Sequence, residues 1–250
     1  MGTQAMADDN PDTPTPEPSP LVITEDMLAS PSAPTPPLID FERGMCWTPA
    51  MTLGLSVLNI CFFIPVFLAE KPEQILDVFL KTALIREKVL AGEIWRMITS
   101  MFMHVDLSHL LGNMAALYIV GMACEHAFGP WQTVLVFLLA GLCGGFVSLL
   151  VHPGPSVGAS GAIFGVLGCA VGFFWRHRRV VHLRDKRIGL ALFAWAGYQI
   201  VIGVMEPMVD NAAHVGGLVA GLVIGCLLRP RLLAGLEPSH AVPTAMQNSG

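Results

Sequence analysis

The sequence predicts an all-α polytopic membrane protein, a bundle of six transmembrane helices around a water-filled cavity open to the outer side. Three observations carry this expectation. Of 250 residues, 53% are hydrophobic and only 13% charged, with a mean hydropathy of +0.60; soluble domains carry about 25% charged residues. Apolar runs near the length needed to cross a hydrocarbon core of about 30 Å recur six times. Polar residues in three of those runs fall at one depth, beside a proline-rich loop that cannot be helical.

Residues 1–45 read as a disordered tail, rich in proline and poor in apolar periodicity. The acids Asp8, Asp9, Asp12, Glu17, Glu25, Asp26, Asp40 and Glu42 face a single base, Arg43, before the first apolar run. This start lacks the bases and apolar core of a secretion signal. The first span is 47–69. Residues 70–96 form no span: Ile75, Leu76, Phe79, Leu80, Ala83 and Leu84 recur at helical spacing with Asp77, Lys81 and Arg86 off that face, the pattern of a helix lying in the membrane interface. Trp95 and Arg96 then read as interfacial anchors.

Spans two to six are 105–128, 131–151, 158–176, 188–205 and 211–228, and a polar tail occupies 230–250. The loop after span four holds Arg176, Arg178, Arg179, Arg184, Lys186 and Arg187, and Arg229 and Arg231 close span six. Both basic ends fall on one side, which the positive-inside rule makes cytoplasmic, together with both termini. No basic patch interleaved with aromatics marks a nucleic-acid partner. The six cysteines form no CxxC pair and read as small buried hydrophobes, so no metal or cofactor is implied.

Ionisable or strongly polar groups inside spans are costly and mark function. Here they are His109, Asn113, Ser160 and His214, with His104 nearer the outer boundary. Ser160 precedes Arg176 by sixteen positions, His214 precedes Arg229 by fifteen and Asn113 precedes Gly129 by sixteen. All three therefore lie about 22–24 Å along parallel helices from the same membrane face, and His109 is one turn from Asn113 on the same helical face. Irregular backbone before Ser160 is tolerated at that depth only against protein or water. A serine needs an adjacent base, most often histidine, and a developing oxyanion needs preorganised donors. Asn113, His109 and the Ser160 N–H at a helix start can supply them. An orienting carboxylate is not evident, because Asp210, four residues before His214, is expected at the outer surface; the reading is a Ser–His dyad. His126, His152, His177, His182 and His240 read as interfacial or exposed. Gly161, Gly165, Gly217 and Gly221 have the small-xxx-small spacing that lets spans four and six approach closely.

Taken in order, these motifs resemble the rhomboid family of intramembrane serine proteases over residues 92–229. Trp95 and Arg96 match its Trp-Arg loop, and His109 and Asn113 its HxxxN helix. Gly121, Glu125 and Gly129 match GxxxExxxG; Gly158, Ser160, Gly161 and Gly165 match GxSGxxxG; Ala213, His214, Gly217 and Gly221 match AHxxGxxxG. The resemblance implies Ser160 as nucleophile, His214 as general base, and His109 and Asn113 as oxyanion stabilisers. It implies a protease domain over 46–229, transmembrane proteins as substrates, the membrane lipid as surroundings and, for a bacterial-looking chain, the inner membrane. Phe164 departs from the aromatic hydroxyl that many bacterial members have four residues after the serine. Glu125 reads as a hydrogen-bonding residue to a neighbouring loop. An inactive relative that holds membrane clients would usually lack the serine or histidine, and this chain keeps both. A small transporter would show paired repeats or intramembrane carboxylates, and the sequence shows neither.

Overall fold

The structure, a computed structural model, describes residues 38–184, 186–206 and 209–234. Residues 1–37 and 235–250, which include most of the expected tails, lie outside the described residues. The fold is helical. After a two-residue strand β1 (Ile39–Asp40) come α1 (Ala50–Phe67), α2 (Pro72–Thr82), α3 (Arg86–Leu90), α4 (Arg96–Thr99), α5 (Leu107–Phe128), α6 (Pro130–Val151), α7 (Ser160–His177), β2 (Val181–His182), α8 (Lys186–Met205), α9 (Asn211–Leu227) and a 3₁₀ turn at Arg231–Leu233.

Four stretches are long and apolar enough to cross a membrane: α1, α5, α6 and Asn211–Leu233. The other two expected spans coincide with α7, whose last turn carries Arg176 and His177, and with α8, whose apolar part is Phe193–Met205. Buried positions of α1 are Thr52, Leu55, Asn59, Phe63 and Val66. Their three- and four-residue spacing defines one face toward the bundle. That helix lacks a capping side chain of its own. Glu125 of α5 supplies the cap instead, accepting from Thr52 N at 3.0 Å, Thr52 Oγ1 at 2.9 Å and Met51 N at 3.3 Å. The expected loop partner of Glu125 is thus a helix N-terminus, where a carboxylate is favoured by the free N–H groups and the dipole.

The chain turns from α5 to α6 at Gly129, whose φ of 96° suits glycine, and Pro130 opens α6 without needing an N–H donor. At the centre lies α7. Every residue from Ser160 to Phe173 except Val171 is buried, so this helix is enclosed by protein on nearly all sides. Its closest neighbour is α9, whose buried positions are His214, Gly217, Gly221 and Gly225. A Cβ on Gly217, Gly221 or Gly225 would overlap the carbonyl oxygen of Gly161, Gly165 or Cys169 across the seam. The glycines therefore set the α7–α9 distance by backbone contact.

The segment between α1 and α5 forms the amphipathic helix expected from its spacing, α2, whose Ile75, Val78 and Phe79 pack on Phe63, Val66, Met103 and Leu110. Trp95 is 53% exposed, as an anchor would be, but Arg96 is only 4% exposed. Its Nη1 donates to Leu80 O and Ala83 O, both at 2.9 Å, and its Nε donates to Glu93 Oε2 at 2.7 Å. Arg96 is an internal staple on the end of α2, because the carbonyls that finish a helix need donors. Leu38 to Met45, assigned to the tail from composition, begin with a strand: Ile39 and Asp40 pair in parallel with Val181 and His182. Phe41 is buried against Phe173 and Phe174, and the Asp40 carboxylate pairs with Arg184.

Candidate active site

The loop between α6 and α7 is where the bundle presents its polar residues, and it is held at several points. Leu84 N donates to Ser156 O at 2.9 Å, and Ser156 N returns to Leu84 O at 3.0 Å. Gly158 N donates to Ser100 O at 2.8 Å. Gly158 has φ 117°, and a Cβ there would meet His109 Cε1 at 2.8 Å and Nε2 at 2.9 Å. Only glycine lets the backbone pass this close to His109 and still enter α7 at Ser160.

Ser160 is the first residue of α7, and its Oγ lies 2.8 Å from His214 Nε2. Both are buried. The His214 ring stacks on Phe164, with centroids 4.5 Å apart and planes 6° from parallel; Phe164 in turn packs on Trp195 at 5.4 Å. The phenyl ring thus makes the contact that the aromatic hydroxyl would make elsewhere. Parallel stacking fixes the plane of the imidazole.

His109 and Asn113 flank the loop just before Ser160, the latter with Nδ2 at 3.7 Å from the same Gly158 position. Asp106 caps α5 by accepting from His109 N at 2.8 Å. Its carboxyl is held below the usual carboxylate range, chiefly by the Ser108 hydroxyl and, against some desolvation, by that N–H. His104 is completely buried and lies 2.9 Å from Asn113 Nδ2 through Nε2, with Nδ1 3.2 Å from Phe102 O. A carbonyl can only accept, so Nδ1 carries the proton and Nε2 accepts from the Asn113 amide. One N–H of Nδ2 is thereby used, and one remains. The sequence singled out His104 but gave it no partner; its bond to Asn113 depends on the path of the residue 100–106 turn, which no periodicity encodes.

All four polar span residues are thus brought to one end of α7, together with His104. Gly158, Gly161, Gly165, Gly217 and Gly221 frame them. Glu125, Trp95 and Arg96 lie apart, in the caps and staples described above. Asp210 departs from expectation: it is 7% exposed, not at the surface. No group of three or more candidate metal ligands occurs among the described residues.

A family model, the Rhomboid domain, matches residues 91–231. The chain belongs to the rhomboid family. Relatives of this rhomboid chain include Rhomboid protease GluP of Bacillus subtilis, 36% identical over 55% of this chain and 26% of that protein. Rhomboid protease AarA of Providencia stuartii is 29% identical over 70% of this chain and 71% of that one. Inactive RHOMBOID-like protein 8 of Arabidopsis thaliana is 31% identical over 59% of this chain and 42% of that one. The first relatives are longer: the chain spans 26% and 43% of the two leading ones. Membership therefore makes this an integral membrane protein of a family of serine proteases and pseudoproteases.

Proposed function

We propose that this rhomboid chain is an active intramembrane serine endopeptidase that cuts membrane proteins in or near a transmembrane segment. The observation that carries the reading is the 2.8 Å approach of Ser160 Oγ to His214 Nε2, within the range of a working nucleophile–base hydrogen bond. His214 takes the Ser160 proton as Oγ attacks the scissile carbonyl carbon. The carbonyl electrons move onto oxygen, where the Ser160 N–H, the remaining Asn113 N–H and His109 stabilise the charge. Collapse breaks the C–N bond, and His214 returns the proton to the departing amine. Water then repeats the sequence on the acyl-serine, again with His214 as base, and frees the acid and Ser160.

In this reading the protease domain is 46–229, with six spans around a water-filled cavity open to the outer side. Residues 70–96 lie in the membrane interface, and the N-terminal tail ends before Leu38, because Ile39 and Asp40 pair with Val181 and His182. Both termini face the cytoplasm of a bacterial inner membrane, in line with the basic loops. Substrates are transmembrane proteins, because the dyad is submerged and an unwound helix in lipid is what can reach it.

The test is cleavage of a transmembrane substrate in proteoliposomes by the parent and by Ser160→Ala. The expected outcome is cleavage by the parent and none by the variant, accompanied by Ser160-dependent labelling with a fluorophosphonate. A parent that neither cuts nor labels is a pseudoprotease. A variant that cuts as fast as the parent removes Ser160 from the chemistry.

A further inference from the structure

Asp210 closes the loop before α9 and caps that helix, its Oδ1 accepting from Ala213 N at 2.9 Å. Its second oxygen, Oδ2, is buried and has no hydrogen-bond partner. His214 N donates to Asp210 O at 3.2 Å, so the N-cap residue Asp210 and first-turn His214 share the same end of α9, four residues apart. If His214 is the base for Ser160, its Nε2 is the bare nitrogen and Nδ1 carries the ring proton. That Nδ1 is also buried and also without a partner.

An acceptor lacking a donor thus lies one turn from a donor lacking an acceptor, and burial without a partner is costly for each. One water bridging the two would satisfy both. The dyad also has a need that this pairing meets. Stacking on Phe164 holds the plane of the His214 ring, but turning the ring over within that plane exchanges Nδ1 for a carbon and moves Nε2 away from Ser160. A hydrogen bond at Nδ1 removes that freedom.

We propose that Asp210 is a positioning residue for His214: through one bound water its Oδ2 accepts the Nδ1 proton, fixes the tautomer and orientation of the ring, and stabilises the imidazolium formed when Ser160 is deprotonated. No proton is passed to Asp210. The inference rests on the proposed dyad. It extends the site by a buried carboxylate, held in place by its capping bond. The other titratable groups around His214 and Asp210 are His109 of α5, beside the loop that enters α7, and His152 at the end of α6, whose Nδ1 is 3.9 Å from Asp210 Oδ1. His152, read from sequence as interfacial or exposed, is largely enclosed: its side chain is 10% exposed.

The test uses Asp210→Asn in the full chain, because asparagine caps a helix as well as aspartate does and only the charge is removed. Asp210→Ser, another good cap, is its companion. In proteoliposomes where the parent cuts and Ser160→Ala does not, both variants should keep the parent's melting temperature and KM. Their kcat should fall about tenfold or more, within the range for perturbing a general base. The acid limb of kcat/KM, and of fluorophosphonate labelling at Ser160, should move to lower pH, because the imidazolium loses its carboxylate neighbour. With His109 and His152 intact in both proteins, that movement reports Asp210. Unchanged kcat and an unmoved acid limb would leave Asp210 as a cap alone and overturn the proposal. So would a kcat lost together with melting temperature while the acid limb stays in place. If instead the parent does not cut, or Ser160→Ala cuts, the dyad is wrong and this inference goes with it.

Discussion

Toward Arg176, the seam between α7 and α9 closes backbone on backbone at its glycines: Gly221 against Gly165, Gly225 against Cys169, and Gly172 with its Cβ position 2.8 Å from Leu222 O. Toward Ser160 the same two helices carry Ser160 and His214, with Asn113, His109, His104 and Asp210 gathered around them. The glycine spacing is continuous through both ends. What differs is whether the side chains at the seam are absent or polar. The glycine end sets how close the helices come, and the polar end uses that closeness for a 2.8 Å hydrogen bond. Rigidity is built where there is no chemistry, and the chemistry inherits it.

The largest way to break this relation is to insert volume at the glycine end. Gly221→Val drives two methyl groups into the Gly165 carbonyl and should cost about 3 kcal/mol or more, abolishing cleavage although no polar residue is touched. Thermal unfolding in detergent, read beside turnover, checks both. At the polar end, Asn113→Ala should lower kcat by up to about 10²–10³-fold, the scale for one oxyanion donor, and, because it strips buried His104 of its donor, should also lower stability by about 1–3 kcal/mol. Unchanged turnover would remove Asn113 from that role.

A control at a distance sharpens the comparison. Glu125→Ala uncaps α1 far from the seam and should lower stability by about 1–2 kcal/mol, with kcat per folded molecule retained. Measured kcat falling with stability would show that α1 is coupled to the site. Smaller still, Phe164→Leu removes the ring stacked on His214 and should slow turnover about 3- to 10-fold, since such stacking is worth about 0.5–1.5 kcal/mol; Phe164→Tyr should remain within about twofold of the parent.

The smallest effect is electrostatic. The Asp106 carboxyl has a lowered pKa in the folded chain, so its capping contribution is complete above the ordinary value of about 3.9. It is lost as pH falls through the still lower folded value. The melting-temperature gap between parent and Asp106→Ala should therefore be constant near neutrality and narrow only in strong acid.

Much of this was legible before any coordinates. Hydropathy marks the apolar helices because every backbone group in lipid must be satisfied internally, which leaves a helix as the solution for such a run. Rise per residue places Ser160, His214 and Asn113 at one depth, and glycine spacing announces a close seam. Each of these is a local or periodic property. Contacts between segments distant in sequence were not legible. Arg96 looked like a surface anchor because arginine beside tryptophan at a span start usually is one; its burial depends on α2 ending where Leu80 and Ala83 offer their carbonyls. Leu38 to Met45 looked like tail because a two-residue strand has no periodicity, and its partner Val181 is far along the chain. Asp210 looked exposed because depth was counted along one helix, whereas in the fold it lies beside His152 at the end of α6. The sequence by itself determined a membrane-embedded helical chain with a serine and a histidine at matched depth. Only the tertiary structure decided what surrounds them: Phe164 flat on His214, His104 holding Asn113, and a buried carboxylate one turn away. The reason is that periodicity encodes which face of an element is covered, and not which residue from another part of the chain covers it.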